Sequence, residues 1–420
     1  MNAFYQQAKE NLKKTREWAK HIAAHPFTGF REFETASFIK KELEAMGYIT
    51  LSGEDIPYVK AVLDTGREGP GVCVIGEMDA IFLDGPVHAC GHHISCAAML
   101  SCALLLKEHA DRDNLCGRVI FMAVPAEEHI ETPYRMELEK QGIIRYPSGK
   151  PELLHRGLFG DVDMCVMVHM LPQDNEISMM TSANGNIIKE IIFRGKSAHA
   201  GNAPQEGINA LYAANLAINA INALRETFTE DQFARVHPII TKGGDVVNVI
   251  PSEVRMEAYV RASTVEHMKS INARVNRALT GCAHALAAEV EIRDIPGYLP
   301  IHIHPLFNEM AMETARTVFG GEIKVLGHLG LCSDIGDMSC VMPVMHPFVG
   351  GVSGTLHGED FRVSDEDIAY VKTGAFLASL CRDLLEKDAK KAKELLMSFV
   401  PLYPDVESYF KDVDSMVSGP

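Results

Sequence analysis

The fold is decided by three consecutive runs between Gly71 and His129: "GVCVIGEMDAIF" (71–82), "SCAAMLSCALLLKEHA" (95–110) and "GRVIFMAVPAEEH" (117–129). The first and third are short, rich in β-branched residues and apolar at consecutive positions, as in strands buried on both faces of a parallel or mixed sheet. The middle run is apolar all round, which predicts a buried helix, with Ser95 as a candidate cap. Together they spell a β-loop-α-β unit, and both strands run into acidic residues. Between the first strand and the helix lies "GPVHACGHHISC" (85–96), where three histidines and two cysteines share a short loop.

Working outward, "FREFETASFIKKELEAMGY" (30–48) has helical spacing stopped by Gly47, and "DVDMCVMVHML" (161–171) predicts another central strand ending at His169. The stretch from Ile130 to Gly157 is expected to be a long loop. The character changes near Ser182. From there to about Gly297 the pattern alternates strand, helix, strand, strand, helix, strand, the order of a split βαβ sandwich. The expected fold class is therefore α/β: a larger domain with a mixed, largely parallel sheet flanked by helices (1–182 and 299–420), interrupted by an inserted ferredoxin-like α+β domain (183–298).

The chain has 420 residues, 47% of them hydrophobic, enough for two domains. A formal net charge of −16 argues against nucleic acid as a partner, because phosphate binding relies on clustered Lys and Arg. No run approaches the length of uncharged apolar sequence that spans a membrane, and the lysine-rich N-terminus lacks a secretory h-region, so a cytoplasmic location without membrane association is expected. The ten cysteines are scattered singly, the distribution of reduced buried thiols.

Taken alone, His88, His92 and His93 read equally well as a polar loop or as metal ligands, since Cys-x-His is shorter than structural zinc spacings. Glu127 and Glu128 end a buried strand, where paired carboxylates need a cation or a shared proton. His169 ends another apolar run, and His357 sits in the glycine-rich "GTLHGEDF". Singly, each is more often structural. Strand ends along one edge of an α/β sheet nevertheless converge on one crevice, where such groups can meet.

In order along the chain, "FREFETASFIKKELEAMGY", "GEMDAIF", "HACGHH", "PAEEH", "VHM", "GKSAHAGNAPQEGINAL", "VNVIP", "SDIGDMS" and "LHGEDF" resemble the successive motifs of metallopeptidase family twenty, subfamily D. That subfamily holds hippurate hydrolases, auxin-conjugate amidohydrolases and aminobenzoyl-glutamate hydrolases, and the wording here is closest to the last branch and its dipeptidase-like relatives. The resemblance implies a dinuclear metal-dependent amidohydrolase acting on an N-acyl or N-aroyl amino acid or a dipeptide-like substrate. It implies two divalent ions, Zn²⁺ or Mn²⁺ foremost with Co²⁺ or Ni²⁺ as alternatives, bridged by Cys90. His92 and His169 would complete one ion's protein ligands, Glu128 and His357 the other's. Glu127 would be the general base, and Asp79 the carboxylate that orients a ligating histidine. His199 would reach the partner subunit's site in a homodimer formed through the inserted domain, while Asn248 and Arg261 would hold substrate. Structural roles for Asp79, Asn248 and Arg261 compete with these assignments. Two positions depart from the family pattern: His93 stands where Asp or Asn is usual, and Glu77 where Asp is common. The competing readings are a metal-independent cysteine hydrolase, with Cys90 as nucleophile and His92 or His88 as base, and a catalytically idle binding protein.

Overall fold

The computed structural model describes residues 2–109 and 114–417. Met1, Ala110 at the end of the expected buried helix, residues 111–113 and the last three residues of the expected first domain lie outside the described residues. The chain divides into two compact units.

The first unit, residues 1–181, 302–328 and 337–402, is built on a six-stranded mixed sheet. Its order is Thr50–Ser52, Val59–Asp64, Arg118–Val124, Gly71–Glu77, Met164–Val166 and Val344–Met345. Val59–Asp64 is antiparallel to both its neighbours, and the remaining strands pair in parallel around Gly71–Glu77, whose seven residues are all buried. That central position explains the unbroken apolar run: both faces are covered, so no alternation is needed. The helix His92–Glu108 covers one face and is buried from His92 to Leu106. It starts earlier than Ser95 suggests. Gly91 occupies the N-cap position at φ 89°, and Ser95 Oγ donates to the His92 carbonyl inside the first turn, so Ser95 is not the cap. A Cβ at Gly91 would also lie 2.6 Å from Met170 Cβ, so this position needs glycine twice over.

Two further expectations change. The run 161–171 is not one strand: Met164–Val166 stays in the main sheet, while His169–Met170 pairs with Phe348–Val349 in a separate four-stranded sheet. The stretch read as a long loop contains two helices, Thr132–Lys140, with proline in its first turn, and Gly149–His155. Both are short, which hides their periodicity in the sequence.

The second unit holds Gly185–Arg194, Ala210–Leu224, Arg235–Lys242, Glu253–Ala262, Val265–Ala285 and Glu289–Pro296 in β-α-β-β-α-β order. Its four strands are antiparallel throughout, and numbered within the unit they lie 4-1-3-2, the ferredoxin-like arrangement. The unit also contains residues 329–336 and 403–420, which the sequence pattern assigns to the first domain. The reason is visible in the helix Val406–Met416: Tyr409, Val413 and Met416 form one buried stripe, and Asp412 pairs with Lys269 of the long helix in the same unit. Among the described residues, no helix is long and apolar enough to cross a membrane.

Candidate metal centre

The parallel register between Gly71–Glu77 and Arg118–Val124 places Glu77 beside Val124. The residues that follow each strand, Asp79 on one side and Glu127 and Glu128 on the other, therefore emerge on the same sheet edge. Asp79 joins them directly. Its Oδ2 accepts the Glu128 N–H at 2.8 Å, its backbone carbonyl lies 2.9 Å from His92 Nδ1, and its Oδ1 lies 3.2 Å from the same nitrogen.

The loop that carries the glutamates is held from behind by two residues that the sequence reading misses. Glu32 is fully buried and accepts the Ala126 N–H at 2.8 Å. Arg135, equally buried, donates Nε to the Ile130 carbonyl at 2.8 Å, Nη1 to Ala126 O at 3.2 Å and to Pro147 O, and Nη2 to Glu128 O. A Cβ on Gly29 would come within 2.5 Å of that guanidinium. Their partners are remote in sequence, so the only local signal is an acidic residue inside the "FREFET" motif.

The side chains expected as ligands converge. One ligand atom each from Cys90, His92 and His169 lie within 4.8 Å of one another, and so do one each from Cys90, Glu128 and His357. Cys90 is common to both groups. His169 Nε2 and His357 Nε2 each stand 3.2 Å from Cys90 Sγ, and His357 Nε2 is also 3.2 Å from Glu128 Oε1. His357, at φ 63°, is fixed beside the cysteine by its N–H bond to Ala89 O at 2.9 Å.

Tautomers decide what this arrangement can hold. His92 Nδ1 and His169 Nδ1 each lie 2.9 Å from a backbone carbonyl, of Asp79 and Met170 respectively. A carbonyl only accepts, so each Nδ1 carries the hydrogen and each Nε2 presents a lone pair to the cluster. Two imidazole nitrogens with inward lone pairs in their neutral form, a sulfur and a carboxylate therefore converge on the same space. Such a set is stable only around positive charge, and borderline-soft sulfur with nitrogen and oxygen suits a divalent transition metal. The electrostatics agree. Burial opposes charge on His92, yet Cys90, Glu77 and Asp79 raise its pKa well above the usual value, so without an ion this Nε2 takes the proton that a cation would displace. Burial would raise Glu128, but His357 and His92 hold it down to about 2. His169 is lowered to about 4, first by burial and then by His92. The residues present fit two ions sharing Cys90.

Glu127 is buried, and its Oε2 lies 4.0 Å from His92 Nε2, too far for a hydrogen bond and near enough to share a small molecule between them. An apolar wall flanks Cys90, with Ile81 and Ala89 packed against Leu83, Val87, Leu356 and Phe361. His88 and His93 are buried with their rings 5.4 Å apart, and burial lowers both pKa values. Neither joins the ligand groups.

In the second unit, His199 and Asn248 sit on neighbouring exposed loops. The Ala200 N–H bonds Asn248 O at 2.9 Å, and His199 bridges to Val249. The N–H groups of Gly201 and Asn202 both donate to His199 Nδ1, at 3.2 and 3.0 Å. This fixes the opposite tautomer from that of His92 and His169: Nε2 carries the hydrogen, and His199 is a donor toward solvent. Arg261 stands apart on Glu253–Ala262, donating to Gly330 O at 3.3 Å with its guanidinium over Tyr259.

Residues 181–285 match the peptidase dimerisation domain family. The chain is 28% identical over 292 residues to one of the subunits of p-aminobenzoyl-glutamate hydrolase from Escherichia coli (strain K12), covering 66% of this chain and 56% of that protein. It is 28% identical over 293 residues to the Xaa-Arg dipeptidase of Homo sapiens, covering 68% and 62%. The match thus spans between half and two thirds of these relatives' length. Among solved structures it is similar to a dinuclear metal binding peptidase from the M20 family of Bacillus subtilis, with a TM-score of 0.69, 21% identity and coverage of 89% and 98%.

Proposed function

We propose that this chain, which belongs to the M20 family of peptidases, is a two-metal amidohydrolase that cleaves the amide of an N-acyl or N-aroyl amino acid or of a dipeptide. The observation that carries the reading is the pair of ligand groups sharing Cys90, with His92 and His169 locked in the tautomer that turns lone pairs inward. Cys90, His92 and His169 would hold one ion, and Cys90, Glu128 and His357 the other. When bound, such ions supply an acidified water and a Lewis acid for the amide carbonyl.

The chain's own residues do the rest. Glu127, with Oε2 4.0 Å from His92 Nε2, would take a proton there and return it to the departing amine. Asp79 holds His92 and the Glu128 backbone in one frame, so both ligand groups share a single support. The wall of Leu83, Val87, Leu356 and Phe361 suits an apolar acyl or aroyl group. His199, preset as an Nε2–H donor, suits stabilisation of a developing oxyanion in a partner subunit, and Asn248 beside it and Arg261 suit substrate binding, the arginine by its carboxylate-matching fork. A homodimer through the inserted unit is supported by Tyr212 and Leu216, exposed on the helix Ala210–Leu224, and by Ile239, exposed on the edge strand Arg235–Lys242. A nucleophilic Cys90 is disfavoured: burial, then Glu128, pushes the thiol pKa well up, the reverse of an activated cysteine.

The test is metal analysis joined to a screen of acyl-amino acids and dipeptides. Two ions per chain, activity lost on chelation and restored by metal, and a Glu127→Gln variant that keeps its metal but loses about 10²–10⁴ in kcat are expected. Full turnover by metal-free protein would overturn the reading.

A further inference from the structure

Glu77 is not used by that chemistry, yet it faces the metal pocket. Its Oε1 accepts from Lys150 Nζ at 2.6 Å, and both side chains are no more than 1% exposed. Its Oε2 lies 3.3 Å from His92 Nε2 and, among the described residues, accepts no hydrogen bond. Glu77, His92 and Glu127 form a third group whose ligand atoms lie within 4.8 Å of one another. Lys150 reaches this depth because the helix Gly149–His155 starts hard against the glutamate-bearing loop: a Cβ at Gly149 would lie 1.8 Å from Pro125 O.

A buried carboxylate kept only to pair with a lysine would have both oxygens satisfied, since leaving one bare carries a desolvation penalty. Here one oxygen is covered by the lysine, and the other lies 3.3 Å from His92 Nε2 without a hydrogen bond among the described residues. We infer that Glu77 Oε2 is a sixth protein ligand atom, directed at the ion of Cys90, His92 and His169, and that Lys150 is the fixed counter-charge that makes this carboxylate tolerable when no ion is bound. An added carboxylate oxygen hardens a sulfur and nitrogen set, so it raises affinity for Mn²⁺ more than for Zn²⁺.

This rests on the two-metal reading, and the experiment separates the two. Stripped wild-type protein is titrated with Mn²⁺ and with Zn²⁺, by calorimetry and by the spin-resonance signal of free Mn²⁺. Fewer than two ions in the wild type would sink the two-metal reading and this inference with it. Given two, Glu77→Gln should lose at least about tenfold in Mn²⁺ affinity at one site, less for Zn²⁺, with the other site unchanged. Unchanged affinity, or equal loss at both sites, would overturn the role of Glu77 alone. Lys150→Met carries the test if Glu77→Gln does not fold. Its metal-free melting temperature should fall below that of the wild type, and saturating Mn²⁺ should raise it by a larger increment than in the wild type. Equal increments in the two proteins would mean that the pair is merely structural.

Discussion

Replacing Arg135 by methionine removes a guanidinium from behind the Glu127–Glu128 loop while keeping most of its volume. Four hydrogen bonds to carbonyls of Ile130, Ala126, Pro147 and Glu128 disappear. At about 1.5–3 kcal/mol for a bond to a charged group, the gross loss is about 6–12 kcal/mol. Against this, the folded state no longer carries the cost of burying a guanidinium, several kcal/mol in effect. The loop can also open enough for some carbonyls to find water, and the net loss comes to about 3–5 kcal/mol. The assay is urea unfolding of metal-free protein followed by Trp18. It is the chain's single tryptophan and is buried in the first unit, so its fluorescence reports that unit. Arg135→Lys should fall between methionine and wild type, because one ammonium cannot span four carbonyls. A loss below about 1 kcal/mol in Arg135→Met would refute the reasoning, since surface substitutions alone reach about half that.

Two further outcomes follow from the geometry. His199→Ala should fold and bind metal but lose about 10²–10³ in kcat as a missing oxyanion donor; mixed with Glu127→Ala under subunit exchange it should regain activity, because one site of each mixed dimer has both residues, and proven exchange without recovery would place His199 in its own chain's site or in none. Metal-free protein should lose stability as pH falls from about 6.5, above the carboxylate range, because burial holds His93 and His346 down to about 3 and His169 to about 4. These imidazoles bind protons in the unfolded chain and not in the folded one, so stability drops with pH, by about 2 kcal/mol per histidine lowered to 3 on going from pH 8 to pH 5, before the opposing pull of His92 and His357. A melting temperature flat over that range would mean the imidazoles are reached by water.

What can be read in advance divides by sequence distance. The buried strand Gly71–Glu77 and the all-apolar helix after it announce themselves because their neighbours cover every face, and Cys90, His92, Glu128, His169 and His357 sit in short motifs that draw attention. Lys150, Arg135 and Glu32 do not. Each acts on a partner supplied by a different element, Lys150 on Glu77 and Glu32 on Ala126, and nothing local marks a lysine in "SGKPELL" as fully buried. Ser95 misleads as a cap because a glycine with positive φ caps the helix four residues earlier than side-chain capping rules suggest. The tautomers are out of reach as well: they depend on which carbonyl each imidazole meets, a matter of final backbone path.

The helix His92–Glu108 begins with a candidate ligand and then runs through the middle of the first unit, buried along fifteen of its residues. Nothing at that ligand can be adjusted independently of the interior. Sliding the helix by a single residue would swing His92 by about 100° around the axis and expose a different stripe to the sheet. The centre is thus not a loop graft that could be moved to another scaffold or retuned by loop exchange. Variation at the His92 end must be matched by repacking at the far end, which ties the candidate centre to the core.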